Sequence, residues 1–471
     1  MVDAYRALVG ARTVWDPTSE HPDLDARDAP PEPIDPSVLW EAGSGGIVLS
    51  NGARLYVDHA HPEYSTPECA DALEAVRHDR AGELVLERAA VAATAALEGH
   101  GEVLVHKNNT DGKGAAYGTH ENHLVPRRIP FGLIARHLTD LLVSRIPLVG
   151  SGRLGSALDP GVGFQISQRA DFLEAELGIE TTVRRPIVNT RDEPHADPDR
   201  HRRLHIITGD ANLCEVATLV KVGSLQLVLE ALAADRLGPP IDLIDPVMAA
   251  HRVSHDLTLA QPLPCADGRS RSALDVQRHY LERCRRHVDL EGGDAVDALV
   301  LDWWERILDG LSTDASALDG VLDWVTKRRL IEAYRERHGL APDDARLHLI
   351  DLQYHDLRPG RGLHRRLLAR GDVVRLVGDA EVERAVDEAP ERTRAWLRGA
   401  AIRRFPEAVV AAGWDGLVLD VGGGLKRLPM PEPARGTRAQ LGDLMEAVEG
   451  IEELIEALGS RPTGPPSRTQ R

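Results

Sequence analysis

The densest chemistry in this sequence lies between Arg54 and Glu63. Read as a strand, Arg54-Leu55-Tyr56-Val57-Asp58 alternates, so Arg54, Tyr56 and Asp58 share one face while Leu55 and Val57 share the other. His59, His61 and Glu63 follow directly. Taking a carboxylate out of water is costly unless it is paired or metal-bound. A sheet face carrying an arginine, a tyrosine and an aspartate is therefore either solvated or a site. Such a face can hold Mg2+ and phosphate oxygens, because carboxylates are hard ligands. The pattern alone leaves both readings open.

A second cluster runs from Lys107 to Gly114, a polar turn, into Tyr117-Gly118-Thr119-His120-Glu121-Asn122. There His120 and Asn122 share a strand face, and the histidine is either structural or a ligand. A third cluster is basic: Arg184, Arg185, Arg191, Arg200, Arg202, Arg203 and His205. Arginine forks match phosphate and carboxylate, so this cluster suits an anionic ligand or acidic partner, or else a surface paired with neighbouring carboxylates. His201 and His205 have HxxxH spacing, but no Glu follows the first and strand-like residues surround them, so a metalloprotease helix is not expected. Gly150-Ser-Gly-Arg-Leu-Gly155 formally matches a dinucleotide fingerprint. It lacks a following helix and reads as a turn, as does Gly422-Gly-Gly424.

The elements that must position these residues follow from pattern. Asn51-Gly52 between two β-prone runs predicts a hairpin over 47–58. Helices are expected over 68–97, over 213–233 with its N-cap within 209–212, through most of 273–338 around Trp303, Trp304 and Trp324, and over 438–458. Strands are expected at 103–105, 117–124, 163–177, 204–208, 347–352 and 417–421. Residues 1 to about 45, broken by prolines and acids, read as irregular. Hairpins followed by grouped helices predict an α+β fold with an antiparallel sheet and a small C-terminal domain.

Composition narrows the function classes. The 471 residues hold 56 Lys+Arg against 74 Asp+Glu, a net charge of −18, which argues against nucleic acid or an anionic membrane as partner. Hydrophobic residues are 42%, enough for a globular core. Cys69, Cys214, Cys265 and Cys284 are scattered without a CxxC pair, which suits a reducing cytosol. With no basic-then-apolar leader at its start, the sequence predicts a soluble cytoplasmic protein.

The segment Asn51-Gly-Ala-Arg-Leu-Tyr-Val-Asp-His-Ala-His-Pro-Glu-Tyr-Ser-Thr-Pro-Glu-Cys69 resembles the signature of the Pup ligase/depupylase family. That family has a glutamine-synthetase-like fold and acts on Pup, the prokaryotic ubiquitin-like protein. The resemblance continues through Lys107-Asn-Asn-Thr-Asp-Gly-Lys-Gly114, Tyr117-Gly-Thr-His-Glu-Asn122, Gly163-Phe-Gln-Ile-Ser-Gln-Arg169, Asn189-Thr-Arg-Asp-Glu-Pro-His-Ala-Asp197 and Arg203-Leu-His-Ile-Ile-Thr-Gly-Asp-Ala-Asn212. It returns at Leu349-Ile-Asp-Leu-Gln-Tyr354 and Trp414-Asp415, so it spans about residues 46 to 425.

The Asp-His-Ala-His-Pro-Glu form is similar to the deamidase/depupylase branch, and residues 12–41 resemble that branch's mobile loop. The resemblance implies a catalytic domain over 1–390, and beside it stands the small C-terminal domain over 391–471 with a disordered tail from about 460. It implies Asp58 as the catalytic aspartate, Tyr56 and Glu63 at the metal, and Arg54 on nucleotide phosphate. Ser65 and Thr66 would lie in the ATP-contacting segment, His120 and His205 at the nucleotide/metal site with Arg203 beside them, and Trp414 against adenine. ATP and Mg2+ are the implied cofactors, Pup and pupylated proteins the partners, and the bacterial proteasome the functional link. From charge, Arg184, Arg185 and Arg191 are expected to receive acidic Pup. The alternatives are a Pup–protein ligase or a non-catalytic Pup- or nucleotide-binding member. The family opens with a Gly-Thr-Glu-x-Glu-Tyr-Gly strand that has no counterpart ahead of Gly46, so a sheet short of one strand and a site short of one carboxylate are expected.

Overall fold

The computed structural model describes residues 1–27, 46–159 and 161–459. The fold is α+β, and the chain divides into two compact units, neither contiguous in sequence.

The first unit comprises the described residues 1–19, 46–70 and 384–459. Its frame is a seven-stranded sheet in the order Leu425–Pro429, Gly416–Asp420, Val409–Ala412, Val14–Trp15, Ile47–Val48, Arg54–Asp58, His61–Ser65. Every neighbouring pair is antiparallel except Val14–Trp15 with Val409–Ala412, which is parallel. Trp15, Val48, Leu397, Leu417, Leu419 and Met445 fill one core against it.

The hairpin at Asn51-Gly52 forms as expected, with Ile47 opposite Leu55 and Gly52 at φ +82. The irregular reading of the first 45 residues is corrected. Val2–Val9 is a helix closed by left-handed Gly10, and Val14–Trp15 is a strand inside the sheet. That strand exists through pairing with residues nearly the whole chain away, which no local pattern reports. The segment beyond residue 391 supplies three of the seven strands, completing the sheet that residues 14–65 begin. The single helix expected over 438–458 is two, Arg438–Ala447 and Ile451–Gly459. The expected disordered tail from about 460 lies outside the described residues.

The second unit, described over 20–27, 71–159 and 161–383, is mainly helical. Helix Ala72–Ala96 starts where Asp71 accepts the Glu74 N–H. Helix Glu215–Ala233 is long and apolar enough to cross a membrane by length and composition, yet most of it is buried in the core with Trp304 and Trp324. Its N-terminus is capped from afar. The Asp323 carboxylate accepts the N–H groups of Leu213 and Cys214, where a local cap in 209–212 was expected.

Residues 347–352, expected as a strand, lie in helix Ala345–Tyr354. Asp344 accepts the Arg346 N–H, and Leu347 and Tyr354, two helical turns apart, take the buried positions. Residues 103–105 form no ladder strand, and 163–177 resolves into Phe164–Gln165, a 3₁₀ turn at Ala170–Phe172 and Ala175–Gly178. Strands Thr119–Pro126 and His201–Gly209 pair antiparallel. Gly152, in the GxGxxG match, has φ +71 and packs so that a Cβ would come within 2.8 Å of Phe164, and the strand Arg153–Leu154, not a helix, follows it.

Of the loop expected over 12–41, residues 28–41 lie outside the described residues. Residues 20–27 are tied down by backbone bonds, Ala26 N–H to Thr190 O and Asp192 N–H to Leu24 O.

Candidate active site

In the first unit a second hairpin, which the sequence does not announce, follows the Asn-Gly one. Its turn residues His59 and Ala60 have φ +44 and +66, although neither is glycine. Each such residue costs about 1–2 kcal/mol, a strain concentrated beside Asp58. The hairpin sets Tyr56 opposite Glu63, Arg54 opposite Ser65 and Asp58 opposite His61. Tyr56 donates its hydroxyl hydrogen to the Glu63 carboxylate.

The Arg54 guanidinium lies 4.3 Å from the Trp15 ring and 4.0 Å from the Tyr56 ring. Trp15 in turn meets Trp414 edge-on at 5.0 Å. Desolvation raises the Glu63 pKa, and Asp58 adds to it; desolvation and then Glu63 raise that of Tyr56. Asp58 is half-buried at the strand end, 2.7 Å from His59 Nδ1. Leu55 is fully buried, whereas Val57 on the same strand face is 45% exposed. Ser65 and Thr66 close the outgoing strand, half-buried.

A residue missed by sequence reasoning anchors this region. Buried Arg398 donates to the carbonyls of Gly52 and Trp414 and, with Arg394, clasps Glu68. It thereby ties together the turn before Arg54, the exit after Ser65 and the Trp414 loop. Nothing distinguishes Arg398 among the arginines of Ala395–Arg404, so no sequence signal marks it.

The second unit carries the histidines. Asn122 stands opposite His205 and Leu124 opposite Arg203, and the His201–Gly209 strand holds one extra residue between Ile206 and Gly209. This bulge sits opposite His120, whose ring meets that of His205 edge-on at 4.8 Å. A Cβ on Gly118 would fall 2.3 Å from His120 Nε2, so only glycine leaves room for that ring. Arg203 gives Nε to the Glu193 carbonyl, Nη2 to its carboxylate (3.2 Å) and Nη1 to Asn122 Oδ1 (2.6 Å).

Burial, then Arg169, Arg191 and Arg203, lower His120 to about 3; burial, then His120 and Arg203, hold His205 well below its ordinary value. Both imidazoles are therefore neutral at physiological pH. Buried Arg169 gives Nη2 to Ile207 O, while its Nε and Nη1 have no hydrogen-bond partner among the described residues. Desolvation, then Arg185, bring this guanidinium down to about 10. Arg169 closes a quoted motif, and that was its only signal.

The arginines of the basic cluster have different surroundings. Arg191 and Arg203 act on the histidines, Arg185 on Arg169, and Arg202 pairs with Asp192. Arg184 stands on an exposed turn at φ +47. A separate buried group, Cys214, Asp323 and His364, brings ligand-type atoms together. There Asp323 is already engaged by Asn212, Tyr354 and two backbone N–H groups, which is a structural role.

The donor sets fit the implied cofactors. Tyr56 and Glu63 offer hard oxygens, and desolvation raises the Glu63 pKa although Arg54 and His59 lower it. Arg169, Arg191 and Arg203 with two neutral imidazoles offer guanidinium N–H groups suited to phosphate oxygens and nitrogen ligands suited to a metal.

Comparison with known proteins gives the family. Residues 1–418 match the family described as "Pup-ligase protein". The chain is 46% identical over 481 residues to the Pup deamidase/depupylase of Mycobacterium tuberculosis, covering 98% of this chain and 94% of the relative. It is 47% identical to the depupylase of Acidothermus cellulolyticus, over 97% and 93% of the two chains. The Pup ligase PafA in complex with ADP is similar in structure, with TM-score 0.79 and 35% identity over 89% of this chain and 92% of that one. A sequence signature, a fold and a family match spanning most of the residues thus converge, and the chain belongs to the Pup-ligase protein family.

Proposed function

We propose that this chain is an ATP- and Mg2+-dependent amidohydrolase acting on Pup. It converts the C-terminal glutamine of Pup to glutamate and cleaves the isopeptide bond between Pup and a substrate lysine. Both reactions are one: a water is consumed at a side-chain amide carbonyl, the C–N bond breaks, and ammonia or the lysine amine leaves as the carboxylate forms. The observation that carries the reading is the Arg54–Tyr56–Asp58 strand face in register with Ser65–Glu63–His61, in a chain whose near-full-length relatives are named for deamidation and depupylation.

Asp58 acts at the carbonyl as nucleophile or as base for the attacking water. Tyr56 and Glu63 hold the metal, Arg54 the nucleotide phosphates, Ser65 and Thr66 the ATP segment, and Trp414 packs on adenine. His120 and His205 serve the nucleotide and metal, with Arg203 beside them. When bound, metal-nucleotide supplies positive charge where an oxyanion develops. Arg184, Arg185 and Arg191 contribute to the reception of acidic Pup. The setting is the cytoplasm, with pupylated proteins as substrates and a functional link to the bacterial proteasome.

The test incubates Pup ending in glutamine with the chain, ATP and Mg2+, and follows mass and ADP. Amide-to-acid conversion without matching ADP supports the reading. ADP formed in step with modification of a lysine would make the chain a ligase instead.

A further inference from the structure

Arginine has only N–H donors, so the atom of Asn122 that meets Arg203 Nη1 at 2.6 Å is the amide oxygen. That oxygen also lies 2.9 Å from His205 Nδ1. Arg203 Nη1 also lies 3.3 Å from Nδ1, a longer contact; two lone pairs facing one another at the closer 2.9 Å would repel, so the Asn122 contact decides and Nδ1 carries the proton. An imidazole binds a metal in its one-proton form, and with that proton on Nδ1 the basic nitrogen is Nε2. The oxygen is itself held in place, because Glu193 fixes Arg203 through Nε and Nη2 and leaves Nη1 for Asn122. Glu193, Arg203, Asn122 and His205 form one directed chain of hydrogen bonds.

We propose that Asn122 is a positioning residue: its amide oxygen locks His205 in the Nδ1–H tautomer, reserves Nε2 for a divalent cation and holds the Arg203 guanidinium. The proposal rests on the reading of His205 as a metal ligand. Metal-bound histidines characteristically donate their second ring N–H to an acceptor that fixes the ring, and loss of that acceptor weakens metal affinity about 10–100-fold. An asparagine fills this role without adding charge. Because Asn122 is solvent-exposed, its replacement leaves the core untouched.

The experiment compares wild type, Asn122→Leu and Asn122→Asp, the last of which keeps the acceptor. Long-range 15N–1H spectra of the metal-free, histidine-labelled protein, with His205→Gln to assign the signal, report the tautomer. Titration with Mn2+ alone, followed by EPR, reports metal affinity. The proposal expects Nδ1–H in wild type and Asn122→Asp, and its loss in Asn122→Leu with Mn2+ affinity about 10–100-fold weaker. A wild-type His205 protonated on Nε2, or an Asn122→Leu protein with unchanged tautomer and Mn2+ affinity, would overturn it. A change of tautomer with Mn2+ affinity unmoved in both Asn122→Leu and His205→Gln would instead overturn the metal assignment of His205, and the cation role of Asn122 with it.

Discussion

In the hairpin of residues 54–65 the interacting titratable groups are an acid and a phenol, Glu63 and Tyr56, and desolvation raises both. In the ladder of Thr119–Pro126 with His201–Gly209 they are imidazoles, His120 and His205, and desolvation with nearby arginines lowers both. Similar desolvation thus drives each set toward neutrality from opposite sides. In the hairpin Glu63 stays raised although Arg54 lowers it, whereas in the ladder's surroundings Arg203 is matched by Glu193 and two nitrogens of Arg169 have no hydrogen-bond partner among the described residues. Each set suits a different charge, a divalent cation at the hairpin's oxygens and a phosphate at the ladder's guanidiniums.

The contrast breaks most sharply at Arg169. Replacing it with methionine should cut turnover about 10²–10³-fold, as loss of a preorganised charge does. The same change should leave the ligand-free protein as stable as before or more so, because a buried guanidinium with two nitrogens that lack a hydrogen-bond partner among the described residues costs stability. Thermal melting and steady-state rates, measured together, check both halves. Next comes Gly118→Ala. A Cβ there displaces the His120 ring, and a misplacement of about 1 Å costs up to about 10²-fold in rate, with little change in melting temperature.

On the hairpin side, Arg398→Met should cost about 1–3 kcal/mol in denaturant unfolding, because Glu68 keeps only Arg394 and the Gly52 and Trp414 carbonyls lose their buried donor. Nucleotide affinity should fall as the Trp414 loop loosens.

The smallest effect is on pH dependence. Burial alone would raise Glu68, but Arg398 and Arg394 bring it from 4.5 down to about 2. A carboxylate with a depressed folded-state pKa adds stability above its unfolded value and loses it as the pH falls toward the folded one. Wild type should therefore lose stability between about pH 4.5 and 2 more steeply than Glu68→Gln, which acid unfolding curves will show.

Legibility divides along the same physical line. The Arg54–Tyr56–Asp58 face and the Asn51-Gly52 hairpin are written in local periodicity and turn chemistry, and both form as read. His120 and His205 emerge from resemblance, since a histidine on a strand has no pattern of its own. The strand at Val14–Trp15, the Asp323 cap and the roles of Arg169 and Arg398 depend on partners far away in sequence, and the His59-Ala60 turn uses positive φ without glycine. Helix Ala345–Tyr354 was hidden because a short apolar run fits either period until its Asp344 cap is weighed.

The most direct test of the account sets wild type beside Asp58→Asn on Pup ending in glutamine, with ATP and Mg2+, following product mass while nucleotide binding is measured in parallel. Wild type should yield the acid, and the variant should bind nucleotide as well but react at least about 100-fold more slowly. An Asp58→Asn protein with full deamidase activity would contradict it.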